Sequence, residues 1–84
     1  MSAEFSSLNS LKSGTSARVH SVDGEDALAR RLAALGFWPD TPVTLIRRAP
    51  AGDPIEVHLR GFRIALRQDE ASRVQVVQIP EKAR

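Results

Sequence analysis

The sequence contains no cysteine and no tyrosine, and its aromatic residues are three phenylalanines and one tryptophan. Without cysteine there is no disulfide scaffold, no thiolate zinc site and no thiol nucleophile. So few aromatics leave no row of stacking platforms for single-stranded nucleic acid and no aromatic groove for proline-rich peptides. Long apolar runs are also missing, since no stretch approaches the ~18 residues of a membrane span. The opening "MSAEFSSLNSLKSG" has neither a basic leader nor an apolar run, which predicts no signal peptide and a cytoplasmic chain. His20 and His58 are the only histidines and neither lies in a G-x-S-x-G context. No G-x-x-x-x-G-K-[ST] is present, so a P-loop is excluded as well. These absences predict a protein that is not an enzyme.

What is present suits a small binding module. The 84 residues fit one domain, with a core of about 8–79 and a tail, 80–84, that should fray. At this size roughly 60–65% of the unfolded surface can be buried, so the core is thin and leaves no room for a deep cleft. The formal charge is +2, and ten of the twelve basic residues are arginine. Arg47, Arg48, Arg60, Arg63 and Arg67 fall in one central stretch. Arginine's planar fork suits carboxylates and phosphates. Asp53, Glu56, Asp69 and Glu70 are interleaved with these bases, which interrupts a phosphate track and argues against a nucleic-acid partner.

Periodicity supplies the elements. "SSLNSLKSG" offers Ser7 as an N-cap, Leu8 and Leu11 three apart, and Gly14 as a stop, predicting a short N-terminal helical turn. "SARVHSV" reads as a strand with Val19 inward and Arg18 and His20 outward. In "DGEDALARRLAALG", Leu28, Leu32 and Leu35 make one apolar stripe, so a helix is predicted over about 24–35. Asp23 is its expected cap, Glu25 and Asp26 its first turn, and Gly36 its end. "TPVTLIRR" alternates, with Val43 and Leu45 on one face. In "PIEVHLRGFRIALR", a two-residue Arg60-Gly61 turn pairs Leu59 with Phe62, Val57 with Ile64 and Ile55 with Leu66, all inward. A short turn begins at Asp69 and Glu70, and "RVQVVQI" adds a last strand with Val74 and Val76 inward. The fold class is mainly β: a small SH3-like barrel of about five strands with one inserted α-helix.

Within "LAALGFWPDTPV" the two largest apolar side chains sit where the chain must turn. A left-handed Gly36 ends the helix and lets Phe37 pack back on Leu32. Pro39 and Asp40 then turn the chain into the next strand. Trp38 has no such assignment. Its place beyond the closing contact favours exposure, and covering the barrel's open end is the alternative.

The chain resembles the FeoA proteins, small cytosolic companions of the bacterial ferrous iron transporter FeoB. The resemblance runs from Leu8 to Val76. It is carried by "LKSG", "ALARRLAALGF" with its proline turn, "RRAPAGDPIEVHLRGFRIALR", and "DEA" before the last strand. "APAGDPIEVHLRGFRIALR" is its specific part. One departure is Pro39-Asp40, where the family usually reads proline-glycine. Similar domains also end iron-dependent repressors, but no DNA-binding helix-turn-helix precedes the barrel here. The resemblance implies an SH3-like fold and a role in ferrous iron uptake, through contact with FeoB at the cytosolic side of the inner membrane, without insertion into the membrane. Weak self-association is compatible with it. A small basic barrel that binds nucleic acid or another protein in metal-dependent regulation is the alternative.

The docking candidates are Phe37 and Trp38 at the turn, with Arg47 and Arg48 for steering, and then the loop Gly52, Asp53 and Pro54. Trp38 and Asp53 are expected at opposite ends of the barrel, and Asp53 is expected to fix its loop by bonding its own backbone. Glu56 and His58, two apart on a strand, share the outer face, but two ligands fall short of a metal site. They are weak surface candidates for adventitious zinc or iron; no cofactor is required, and Glu56 is expected beside Arg63 or Arg67.

Overall fold

In the computed structural model, which describes residues 5–78, strand β1 (Phe5–Ser7) leads into a 3-10 turn (Leu8–Ser10). Then follow β2 (Ser16–Val22), helix α1 (Ala27–Leu35), β3 (Pro42–Arg48), β4 (Ile55–Leu59) and β5 (Phe62–Leu66). The one-turn helix α2 (Gln68–Ala71) and β6 (Val74–Gln78) complete the chain. The strands form one antiparallel sheet of order β1-β6-β2-β3-β4-β5. The expected tail, 80–84, lies outside the described residues.

Six strands replace the expected five or so because Phe5–Ser7 pairs with Val77–Gln75 of β6. Three residues carry too short a pattern to be read as a strand alone. The helical turn at Leu8 forms as expected, but Ser7 caps it with no side-chain bond. Instead the Ser10 hydroxyl donates to the Ser7 carbonyl at 2.7 Å.

Period-two alternation builds the core. Ala17 and Val19, Val43 and Leu45, Ile55, Val57 and Leu59, Leu66, and Val74 and Val76 are all buried, together with Leu8, Leu11, Leu32 and Phe37. Burying these side chains is the main favourable term available to so small a chain. No polar or charged side chain is buried among the described residues.

Helix α1 starts three residues later than expected. Asp26, not Asp23, is the cap, and its carboxylate accepts the Ala29 N–H at 3.2 Å. Glu25 and Asp26 therefore precede the helix. Asp23 is occupied elsewhere: its N–H donates to the Arg73 carbonyl at 2.8 Å, and its carboxylate accepts from Gln75 at 2.9 Å. Arg73 also pairs with Asp26. That hydrogen bond first, and the Ala29 N–H second, hold the Asp26 carboxyl below its ordinary value. At the other end Gly36 is left-handed, with φ 116°, and the Phe37 N–H donates to the Leu32 carbonyl at 3.2 Å. Leu35 does not complete the apolar stripe; it is exposed. Phe37, folded back after the cap, fills the core instead.

Strand β3 departs from plain alternation. A bulge between Leu45 and Arg47 sets Arg47 opposite Glu56 and Arg48 opposite Ile55. The extra residue shifts the side-chain alternation by one. Without it Arg47 would follow Val43 and Leu45 onto the inner face; with it Arg48 takes that side and Arg47 is exposed.

The β4–β5 hairpin has the predicted register, with Leu59 opposite Phe62, Val57 opposite Ile64 and Ile55 opposite Leu66. Arg60 and Gly61 both take positive φ, 53° and 85°, as a two-residue type I′ turn demands. Burial does not follow register completely. Leu59 is fully buried, yet Phe62 is 70% exposed. The expectation that Phe62 serves the core is therefore corrected. Strand β5 is an edge of the sheet, and its first residue projects past the packed interior.

Candidate functional site

The site is built from the end of α1 outward. Gly36 reverses the chain and delivers Phe37 to the core, where it is 2% exposed. Phe37 was a docking candidate on sequence; its burial removes it, because the folded chain has no ring there to offer. Trp38, one residue on, is 45% exposed. The Trp38 carbonyl accepts the Thr41 N–H at 3.1 Å, and Asp40 inside that turn takes φ 70°. Aspartate thus adopts the left-handed conformation for which glycine would be the usual residue.

Trp38 is both tethered and open. Its indole N–H donates to the Ala33 carbonyl at 2.7 Å, as a second donor beside the Gly36 N–H at 3.0 Å. Over its ring stands the Arg60 guanidinium, 4.3 Å from the centroid, a cation–π geometry. Arg60 projects from the hairpin turn and lies against the helix end: a β-carbon placed on Gly36 would meet the Arg60 Cδ at 2.7 Å and the Leu59 Cδ2 at 3.6 Å. No carboxylate pairs with Arg60 among the described ion pairs. Phe62 follows the same hairpin turn. Leu35, Trp38 and Phe62 are three of the four exposed large apolar residues, with Phe5; Leu35 is the last residue of α1, and Phe62 is the first residue after the Arg60-Gly61 turn.

The second candidate region is closed on itself. Arg48 lies opposite Ile55, and its guanidinium donates to the Asn9 side chain at 3.1 Å, to the Leu11 carbonyl at 3.0 Å and to the Asn9 carbonyl. It is therefore a clamp on the 3-10 turn and has no fork left for steering. Asp53 accepts the Gln68 N–H at 3.0 Å, so it bonds the start of α2 and not its own loop. The Gln68 side-chain amide donates in turn to the Gly52 carbonyl. Pro54 follows a cis peptide, and its carbonyl accepts the Ala49 N–H at 3.0 Å. Asp53 and Pro54 precede β4, whereas Arg60 and Trp38 stand just beyond its end. The two regions are separated by a five-residue strand, about 17 Å, which places them at opposite ends as expected.

Glu56 and His58 share the outer face of β4. Glu56 lies 3.7 Å from Arg63, one of the two neighbours, Arg63 or Arg67, that the sequence suggested. That distance is an ion pair without a hydrogen bond, and the same Glu56 oxygen, Oε1, is buried without a hydrogen-bond donor. No three His, Asp or Glu side chains gather as a metal site among the described residues.

Sequence reasoning singled out Trp38 but passed over Arg60 as a turn residue, Phe62 as core and Leu35 as stripe. One signal was available. A long side chain at a position of positive φ in a two-residue turn must project from the end of the hairpin.

The chain is similar to known proteins over nearly all its length. It is 26% identical over 76 residues, 90% of the chain, to a Porphyromonas gingivalis protein in which Fe(2+) transport protein A is fused to the transporter FeoB. The chain spans only 9% of that relative's length. The solution structure of a FeoA-like protein from Clostridium acetobutylicum superposes with a TM-score of 0.88 at 27% identity, covering 100% of this chain and 96% of that one. FeoA of Stenotrophomonas maltophilia, an SH3 domain protein crystallised with zinc, is 42% identical with a TM-score of 0.75, covering 83% and 87% of the two chains. These likenesses agree with the mainly β, SH3-like architecture, and the family's own model matches residues 6–78. The chain belongs to the FeoA domain family.

Proposed function

We propose that this chain is a non-enzymatic accessory module of bacterial ferrous iron uptake, which binds FeoB at its cytosolic side and supports Fe(II) transport. The observation that carries the reading is the fusion of a similar domain to FeoB in one polypeptide. Fusion holds two parts at high effective concentration, and separate chains need an interface to obtain the same proximity. Action as a ferrous iron transport activating factor has been put forward for the Stenotrophomonas protein. The chemistry of the surface is compatible with this reading, because Trp38 offers a large amphipathic ring at a junction with unpaired positive charge. No helix among the described residues is long and apolar enough to cross a membrane; in this reading FeoB provides the link to the bilayer.

The test is capture of purified FeoB, and of its isolated cytosolic domains, on the immobilised chain with and without guanine nucleotide. Wild type should retain FeoB, and Trp38→Ala should lose most of it at a temperature where the variant is folded. Absence of capture by the wild-type chain in every nucleotide state would overturn the reading.

A further inference from the structure

The Trp38 ring is half of a composite surface. Its other half comes from the hairpin, where Arg60 covers the ring and Phe62 follows. Leu59 ties the two together, since its Cδ2 would lie 3.6 Å from a β-carbon on Gly36 and it pairs across the hairpin with Phe62. Directly opposed β-carbons lie about 5 Å apart, so Phe62 stands beside Leu59, at the hairpin end that meets Gly36. Phe62 begins the edge strand and is 70% exposed, so its ring still has apolar area to bury against a partner. Leu35, the last residue of α1 and the neighbour of Gly36 in the chain, is exposed as well.

Like Arg18, Arg30, Arg47, Arg48 and Arg67, Arg60 has no carboxylate among the described ion pairs. What sets it apart is the half-exposed Trp38 ring beneath its guanidinium. Stacking on Trp38 restricts its side chain while leaving the N–H edge of the guanidinium free. A restrained fork loses less entropy on pairing with a carboxylate, and the low-dielectric rings beside it strengthen the bond.

We infer that the Leu35–Trp38–Arg60–Phe62 surface receives an acidic, amphipathic segment of FeoB's cytosolic part, with a Glu or Asp side chain on Arg60 and large apolar side chains against Trp38 and Phe62. The inference rests on the FeoB reading above and names the chemistry of the segment. The apolar rings exclude water from the pair, and the carboxylate fixes its register.

The experiment measures the Kd of the purified FeoB cytosolic domain for wild type, Phe62→Ser, Arg60→Glu, Arg60→Lys and a charge-matched control, Arg67→Glu, at the other end of β4. Each variant's fold is checked by its melting curve. Phe62→Ser and Arg60→Glu should each weaken binding roughly tenfold or more. Arg60→Lys should weaken it as well, because the ammonium keeps the charge without the fork. Arg67→Glu should stay within about threefold of wild type, as expected of a charge outside the interface. A Glu→Lys or Asp→Lys change in the FeoB domain that restores binding to Arg60→Glu would identify the acid. If wild type binds while Phe62→Ser and Arg60→Glu bind equally well, this surface is overturned and the FeoB reading stands. If wild type does not bind, both fall. Loss of a concentration-dependent dimer in Phe62→Ser without FeoB, or oligonucleotide binding abolished by Arg60→Glu, would also overturn it, assigning the surface to a second copy or to nucleic acid.

Discussion

The two ends of β4 treat their polar and apolar groups in opposite ways. At the start of the strand the loop is closed: Asp53 accepts from Gln68, Gln68 donates to Gly52, and Arg48 spends its guanidinium on Asn9 and Leu11. At the far end, Arg60 has an aromatic face but no carboxylate, and Trp38 and Phe62 keep 45% and 70% of their surface in water. Both ends carry arginine and both contain turns, so composition does not separate them. The difference is whether folding alone satisfies the groups. A surface whose groups are already paired gains little from a partner; one with an unpaired fork beside uncovered rings gains on both counts.

The largest expected effect tests the floor of the open end. Leu59→Asp should unfold the chain, because it sets a carboxylate in a fully buried site with no paired charge. His58→Asp, one residue away on the exposed face, should alter stability by less than about 0.5 kcal/mol. Far-UV circular dichroism of both variants checks the pair, and a severe His58→Asp would invert the strand's faces.

Breaking the closed end comes next. Arg48→Ala leaves the Asn9 and Leu11 carbonyls without their donor and should cost about 2–3 kcal/mol, a fall in Tm of about 10 °C or more. FeoB binding by the folded variant should be unchanged. If Arg48→Ala melts like wild type but loses FeoB, the assignment of the two ends is reversed.

Gly36→Val strains the hinge between helix and open end. Its φ of 116° and the Arg60 Cδ at 2.7 Å both oppose a side chain, so about 1–2 kcal/mol of destabilisation is expected from the melting curve. An unaltered melt would mean that the backbone there relaxes freely.

A smaller, pH-dependent effect belongs to neither end. The Asp26 carboxyl is lowered by Arg73 and by the Ala29 N–H, so its contribution is present above the ordinary carboxylate value and disappears as pH falls through the lowered folded value. Asp26→Asn should be less stable than wild type at neutral pH, and the gap in urea midpoints should close under acid, below roughly pH 4. A gap that widens in acid would contradict the sign.

The smallest effect on stability should come from Phe62→Ser, within about 0.5 kcal/mol of wild type because the ring is largely solvated. Any substantial loss of Tm would mean that Phe62 shields Leu59, making this ring structural and leaving the open end with Trp38 alone.

Much of this molecule was legible before folding was considered. The alternation of "PIEVHLRGFRIALR" specified the hairpin register, since a one-residue slip would bury charge. Gly36 before Phe37 and Pro39 announced the left-handed cap and the return of Phe37 to the core. These are local patterns, set by dihedral limits and side-chain period within a few residues. Tertiary structure decided the rest. Strand β1 exists because β6 accepts it, and Asp26 replaces Asp23 as cap because residues of the last strand segment claim Asp23. The bulge at β3 sends Arg48 inward to a turn 37 positions away in sequence. Phe62 stays exposed because its strand ends the sheet, and Arg60 covers Trp38 because the hairpin turn meets the helix end. Side-chain period tells which face a residue takes, but only the assembled sheet determines whether anything covers that face.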